Sequence, residues 1–210
     1  MQLVWPSLDH LGAYRQALER GWSPDNVRGA AAAAEELQCI NTDPVAFVAS
    51  MVDREGQGGP VTLPNGSQAA RLPGYRRWIF DGAAGRPGET GGTASNETCG
   101  AFCGAFCGVI GLRWQRGTST LPAHVLGHIG YAVVPWQRGR GHARAALLAM
   151  LPAARAEGLC WVDLTTDADN IASQRVIVAA GGLLVEAFDK PAAFGGKTSL
   201  RYRIVLSGAA

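Results

Sequence analysis

The sequence lacks an uninterrupted run of about 18 apolar residues, which is the length that a membrane-spanning helix needs. Its first ten residues, MQLVWPSLDH, have neither the basic start nor the apolar stretch of a secretory signal peptide. We therefore expect no association with a membrane and a cytoplasmic location.

The sequence also lacks a strong excess of either charge and any cluster of Lys and Arg. The formal net charge is +2 at pH 7 over 210 residues. A nucleic-acid-binding protein usually carries a clear basic patch, so nucleic acid is not an expected partner. Because 47% of the residues are apolar, the chain can bury a substantial core, and its length predicts a single domain spanning residues 1–210.

Cysteine pairs at metal-binding spacing are missing as well. The chain has five cysteines, an odd number that fits a reducing compartment better than a disulfide framework. Cys99, Cys103 and Cys107 are spaced by four, without a C-x-x-C pair or a clear fourth ligand. We interpret them as small thiols of a strand and its approach, and we expect no metal.

The most informative stretch runs from Gly127 to Asn170 and reads as strand, turn, helix and strand. Its first part alternates apolar and other residues, the pattern of a strand with two different faces. The middle follows spacings of three and four, which predicts one apolar stripe along a helix. The apolar positions are Ile129, Tyr131 and Val133, then Ala143, Leu147, Met150, Leu151 and Ala154, then Cys160, Val162 and Leu164.

The turn inside this stretch has the composition of an anion site. It reads Arg138-Gly139-Arg140-Gly141-His142-Ala143 and lies where a strand becomes a helix. Glycine allows close approach to the backbone, and a new helix presents free N–H groups that suit phosphate. The pattern is neither a P-loop nor the dinucleotide fingerprint, because the Gly-Lys-Ser/Thr and the third glycine are absent. A tight turn with solvated arginines and a nucleotide-phosphate turn remain open at this point.

The rest of the chain divides into regions of different composition. Residues 1–60 are mostly of helical character, and residues 81–101 form a Gly-, Ser- and Thr-rich segment that we interpret as a mobile loop. An Asn-Gly pair within residues 61–67 predicts a hairpin. Further strands are predicted at 76–80, 106–114, 183–188 and 200–206.

Two motifs in this order resemble those of the GNAT superfamily of N-acetyltransferases. The segment R-G-R-G-H-A after V-V-P-W-Q resembles the family's acetyl-CoA signature, Q/R-x-x-G-x-G/A. About thirty residues later, Asn170-Ile171-Ala172-Ser173 followed by Gly181-Gly182 resembles the second motif, an N-x-x-A/S helix that runs into a glycine and a strand. The resemblance covers residues 103–206, and the whole chain is similar to a bacterial subgroup of predicted acetyltransferases whose substrates are unknown.

The resemblance implies an α/β (α+β) fold with a mixed, mostly antiparallel twisted sheet flanked by helices. It also implies a pair of splayed strands that holds the acetyl-pantetheine arm, and a core at 103–206 that binds acetyl-CoA as cosubstrate. The main-chain groups implied to hold this arm are those of Val133 and Val134. The residues implied to bind the phosphates and the arm are Arg138, Gly139, Arg140, Gly141, His142, Ala143, Asn170 and Ser173.

The activity implied is direct transfer of an acetyl group to a primary amine in a ternary complex. A small amine, an antibiotic and a protein N-terminus are all open as acceptors, and sheets of this family often pair, which makes a homodimer an expected partner. The alternative is a GNAT-like module that binds acyl-CoA without catalysing transfer, as a sensor or partner protein.

The catalytic groups are less clearly marked than the cosubstrate site. His128 lies where these enzymes often place a base, and His124 shares its parity if no bulge intervenes. Many relatives carry a tyrosine acid seven residues after the motif asparagine, but that position is Ile177 here. Ser173, Tyr131 or no dedicated acid would then protonate the leaving thiolate. A core hydrogen bond for His128 and a helix-face role for Ser173 are the structural alternatives.

Overall fold

The computed structural model describes residues 1–62, 66–82, 104–191 and 196–206. Apart from Asp81 and Gly82, the loop predicted over 81–101 lies outside these residues, as do Cys99 and Cys103. None of the helices in these ranges is long and apolar enough to cross a membrane.

Three helices occupy most of the first fifty residues. A short strand, β1 (Gln2–Val4), precedes α1 (Leu8–Glu19), α2 (Ala30–Thr42) and α3 (Pro44–Ser50). Helix α3 starts as its sequence predicts, because the Asp43 side chain accepts a hydrogen bond from the Ala46 N–H at 2.9 Å and Pro44 takes the first helical position.

The first sheet is antiparallel throughout. Its order is β1, β5 (Gly74–Asp81), β6 (Ala105–Arg113) and β7 (Ile129–Val133), and β2 (Val52–Asp53) also pairs with β5. Strands β3 (Val61–Thr62) and β4 (Gln68–Ala69) form the separate hairpin that the Asn-Gly pair predicts.

The second sheet contains the C-terminal strands in the order β8 (Trp161–Asp167), β10 (Thr198–Val205) and β9 (Leu183–Asp189), again antiparallel. Helix α4 (His142–Ala156) joins β7 to β8, and α5 (Ile171–Ala179) joins β8 to β9. A single turn of 3-10 helix, Pro135–Gln137, follows β7. The mixed α/β fold with antiparallel sheets flanked by helices is confirmed.

Helices cover both faces of the first sheet, and each face has its own core. Ile79 and Ile110 face α4 and belong to a cluster that includes Leu147 and Met150. Trp78 and Val109, the neighbouring residues in sequence, face the other way and pack among residues of α1 to α3. Because successive strand residues point to opposite faces, the continuous apolar run of β5 fills both cores.

One local prediction is wrong. The shared parity of His124 and His128 predicts a common strand face, but residues 120–128 form turns and irregular chain, and β7 begins only at Ile129. The Val125 N–H donates to the Pro122 carbonyl at 2.8 Å, which closes a turn around His124. Without an extended backbone, parity carries no information about which way the His124 side chain points.

Candidate active site

The two sheets meet at one point, where the chain enters β7. The His128 N–H donates to the Asp163 carbonyl at 2.7 Å, and the Asp163 N–H donates to His128 Nδ1 at 2.9 Å. Gly127 also lies close to β8, since a Cβ added there would be 3.0 Å from the Asp163 carbonyl oxygen. Beyond this point β7 and β8 belong to separate sheets, and no ladder between them is formed by the described residues.

His128 lies at this junction with its side chain fully buried. Burial lowers the pKa of the imidazole, and the nearby Asp163 carboxylate opposes that shift. Nδ1 accepts a hydrogen bond from the Asp163 N–H, and Nε2 is shielded from solvent. A base acts on the acceptor amine directly or through one water, and the described structure places this ring in the core between the two sheets. The geometry fits the structural alternative, a link between the two sheets.

The two candidate acids come together across the fold. Tyr131 on β7 and Ser173 on α5 place their hydroxyl oxygens 2.8 Å apart. Asn170 caps α5, because its Oδ1 accepts the Ser173 N–H at 3.1 Å, and this fixes the backbone of Ser173. Burial raises the pKa of the Tyr131 phenol, so it keeps its proton at neutral pH. The Ile177 side chain is buried in the core. Ser173, one helical turn earlier on α5, provides the hydroxyl that meets Tyr131.

The Gly/Arg turn ends in the N-terminus of α4. Gly139 and Gly141 have φ angles of 76° and 81°, in the left-handed region that glycine tolerates best. Chain neighbours apart, no atom of the described residues lies within 4 Å of a Cβ added at either position, so the backbone is open on the described side. The N-cap residue of α4 is Gly141, which has no side chain to accept a capping hydrogen bond, and the N–H groups of a first helical turn have no partner within the helix. This arrangement fits the phosphates of a bound cosubstrate.

The side chains around this turn differ in their exposure and in their contacts. The His142 side chain is buried, with Nε2 4.0 Å from Asp81 Oδ2, which leaves its backbone N–H for an anion. Arg140 is exposed, and Arg138 Nε donates to the Val133 carbonyl at 3.2 Å, which ties the turn to β7.

The two main-chain amides predicted to contact the cosubstrate, those of Val133 and Val134, differ in their hydrogen bonding. The Val134 N–H donates to the Cys107 carbonyl at 2.9 Å, and its side chain is buried. Of the two amides predicted to face the thioester oxygen, Val134's is therefore already bonded, and Val133 is the one left to consider.

The sequence analysis missed a cluster of charged groups on the first sheet. The cluster lies on the face opposite to the Tyr131 side chain. Arg76 pairs with Gly111 across the strands, and Gly111 pairs with Gly130. Arg76 Nη1 donates to Glu36 Oε1 at 2.8 Å, and Arg113 lies next to Gly130. The available signal was Arg76 on the strand face that also carries Trp78, together with two glycines in neighbouring strands.

No group of three or more His, Cys, Asp and Glu side chains within the described ranges could hold a metal ion.

Comparison with known proteins gives one family and a set of structural neighbours. A family model described as an acetyltransferase (GNAT) domain matches residues 69–182. No curated protein matches the sequence.

Several solved structures share the fold. The microcin C7 self-immunity acetyltransferase MccE, in complex with acetyl-CoA and AMP, is 11% identical, with 97% of this chain and 91% of that chain covered at a TM-score of 0.55. A variant of the spermidine N-acetyltransferase SpeG from Vibrio cholerae is 10% identical, with 98% and 95% covered at 0.55. An acetyl transferase from Salmonella typhimurium that modifies the N-terminal serine of a 50S ribosomal subunit protein is 12% identical, with 98% and 94% covered at 0.55. At these identities the likeness is one of fold.

Proposed function

Because the chain belongs to the GNAT acetyltransferase family, we propose that it transfers the acetyl group of acetyl-CoA directly to a primary amine. The acceptor is a small molecule or a protein N-terminus. The observation that carries this proposal is the arrangement of the turn, the helix N-terminus and the gap between the sheets. An open, left-handed glycine turn leads into an uncapped helix N-terminus, and the adjoining gap between β7 and β8 lies beside the Tyr131–Ser173 hydroxyl pair.

Acetyl-CoA supplies the activated thioester. The first-turn amides of α4, with Arg138 and Arg140 nearby, would hold its phosphates. The Val133 amide would stabilise the negative charge that develops on the carbonyl oxygen. Ser173 would give a proton to the departing sulfur, and Tyr131 would hold the Ser173 hydroxyl and replace that proton. The proton released by the attacking nitrogen would return to Tyr131 through solvent, so no phenolate remains at the end.

His128 has a supporting part in this proposal. Its ring joins the strands at the closed end of the gap and thereby sets where the gap begins. The amine then reaches the site in its neutral form or loses its proton to water. We further propose a cytoplasmic location, and homodimer formation stays a prediction.

The proposal is tested by thermal unfolding with and without acetyl-CoA, followed by an assay for thiol release. At a hundred times the dissociation constant, a ligand adds about 2.7 kcal/mol of stability. For a chain of this size the midpoint should rise by about 5–10 °C, and ATP or NAD should not match it. Thiol release that depends on an added amine establishes transfer, whereas binding without release would indicate a module that only binds acyl-CoA. No shift with any acyl-CoA would contradict the proposal.

A further inference from the structure

We propose that the acceptor carries an oxyanion group, a carboxylate or a phosphate, which Arg113 binds above Gly111 and Gly130 on the sheet face that also carries Arg76. This inference rests on the proposed transferase function and adds the chemical class of the acceptor.

The position of Arg113 follows from the strand register. Arg113 ends β6 two residues after Gly111, so both point to the same face of the sheet. Gly111 pairs with Gly130, and a Cβ added to Gly130 would lie 3.9 Å from Arg113 Nη2. The guanidinium therefore stands above Gly130, in space that any larger residue would begin to fill. Gly130 itself is exposed, although its neighbour Ile129 is buried.

This side of the sheet also borders the gap between the two sheets. Gly130 lies on β7, the strand that borders the gap. The next residue, Tyr131, points to the opposite face, where its hydroxyl meets Ser173. Val133 is three residues after Gly130, which corresponds to about 10 Å of extended strand. An acceptor whose amine reaches the gap and whose anion reaches Arg113 would hold the two groups about 5–10 Å apart. An α-amino acid is too short for this, and a longer amine fits.

The Arg113 side chain is exposed, and its pairing differs from that of Arg76. Among the described residues Arg113 has no ion pair, whereas Arg76 beside it is paired with Glu36. The Asp25 carboxylate is the other nearby acid, and it already accepts the Val27 and Arg28 N–H groups at 2.8 and 2.9 Å. The positive charge of Arg76 and the negative charge of Asp25 act on the Arg113 guanidinium in opposite directions. A bound oxyanion would supply the missing charge.

A network of hydrogen bonds holds Arg76, the neighbour of Arg113, in place. The Tyr14 hydroxyl donates to Glu36 Oε2, and Glu36 Oε1 accepts from Arg76. Tyr14 is fully buried and stacks on Trp78 with ring centroids 4.9 Å apart and planes inclined by 10°. Arg76 is thus held by α2 and cannot easily turn away, so its positive charge stays beside Arg113. Preorganised charges bind anions without a large cost of ordering.

The test compares amines that differ only in the distal group. The probes are 6-aminohexanoate, its neutral amide 6-aminohexanamide, and a phosphate-bearing amine of similar length. We expect the wild-type protein to prefer the anionic probes in kcat/KM. Arg113→Gln should reduce that preference by about 10- to 100-fold, the loss typical of a hydrogen-bonded charged contact. The carboxylate and phosphate probes then show which oxyanion is bound better.

Arg116→Gln is the matched control, because Arg116 is an exposed arginine three residues later that pairs with Glu55. It should leave the preference unchanged. Equal use of anionic and neutral probes by the wild-type protein, or the same preference in Arg113→Gln, would overturn the inference.

Calorimetric titration of 6-aminohexanoate into the protein with CoA present separates this inference from the proposed function. Weaker binding by Arg113→Gln than by wild type and Arg116→Gln supports the anion site even when no amine is acetylated. Equal binding by all three proteins, or none, contradicts it even when transfer is observed.

Discussion

At the residue scale, the proposed proton transfer to the leaving thiolate depends on Ser173. Its hydroxyl lies 2.8 Å from that of Tyr131, and its N–H is fixed by Asn170. A serine hydroxyl alone is a weak acid, but a phenol behind it can replace the proton as it leaves. The two hydroxyls should therefore act as one unit.

We predict that Ser173→Ala lowers kcat by about 10- to 100-fold, at the low end for general acid catalysis because a thiolate leaves with little help. Tyr131→Phe should have a smaller effect, since it acts through Ser173. The double variant should be no slower than Ser173→Ala, because residues in one network are not additive. Steady-state thiol release measures all three.

Tyr75→Phe is the control for loss of a phenol, because Tyr75 is buried in the same sheet and packs against Trp114. It should leave kcat near the wild-type value. A double variant whose loss equals the product of the single losses would show that the two hydroxyls act independently.

The lowered pKa of the His128 imidazole predicts that the stability of the folded protein depends on pH. Its pKa is lowered in the folded protein, whereas an unfolded histidine titrates near pH 6.5. As the pH falls below about 6.5, the unfolded state takes up a proton that the folded state does not, so stability decreases. The loss approaches about 1.4 kcal/mol per pH unit until the folded pKa is reached.

His128→Asn should remove this component, because its amide oxygen can still accept the Asp163 N–H but does not titrate. Urea unfolding at pH 7.5, 6.5 and 5.5 measures the slope for both proteins, and His124→Asn controls for loss of a histidine outside the core. Identical slopes for wild type and His128→Asn would contradict this assignment. An altered pH profile of kcat in His128→Asn would instead favour a catalytic role.

At the scale of elements, helix α4 has a left-handed glycine beyond each end. Gly141 precedes it with a φ angle of 81°, and Gly158 follows it with a φ angle of 84°. Among the described residues, chain neighbours apart, neither added Cβ would meet an atom within 4 Å. The two sites therefore impose the same backbone strain on an L residue, but only Gly141 lies at the proposed phosphate site.

We predict that Gly141→Ala and Gly158→Ala each destabilise the protein by about 1–2 kcal/mol, the cost of a left-handed conformation. Only Gly141→Ala should also weaken acetyl-CoA binding, by about tenfold or more, because its methyl group occupies the path of the phosphates. Calorimetric titration with acetyl-CoA compares the two. Equal affinities would mean that the turn does not bind the cosubstrate.

At the scale of the whole molecule, the two apolar cores share the same strands. Ile79 and Ile110 belong to one core, and Trp78 and Val109 belong to the other. Loss of β5 or β6 would thus open both cores at once. We propose on this basis that residues 1–210 form one cooperative domain, in which α1 to α3 do not unfold separately.

This arrangement predicts a single unfolding transition. Tryptophan fluorescence reports both cores, since Trp22 and Trp78 lie in one and Trp114 in the other. The midpoint from fluorescence should coincide with that from far-ultraviolet circular dichroism, which follows the helices. An early loss of helical signal before the fluorescence changes would show that the N-terminal helices are a separate unit.

The sequence by itself indicated the family, the fold class and the position of the Gly/Arg turn before α4, which is the proposed phosphate site. These depend on local patterns. Alternation marks strands, spacings of three and four mark α4, and paired glycines before a helix mark an anion site whatever the rest of the chain does. The Asn170 cap was equally readable, since a cap bonds to a residue three positions away.

Only the tertiary structure decided what surrounds each functional side chain. Tyr131 and Ser173 are 42 residues apart and meet because α5 docks beside β7. His128 is buried because β8 arrives next to it, and Arg113 reaches Gly130 because β6 and β7 pair in one particular register. Such contacts depend on strand register and helix docking, which the packing of the whole core sets, and no local pattern encodes them.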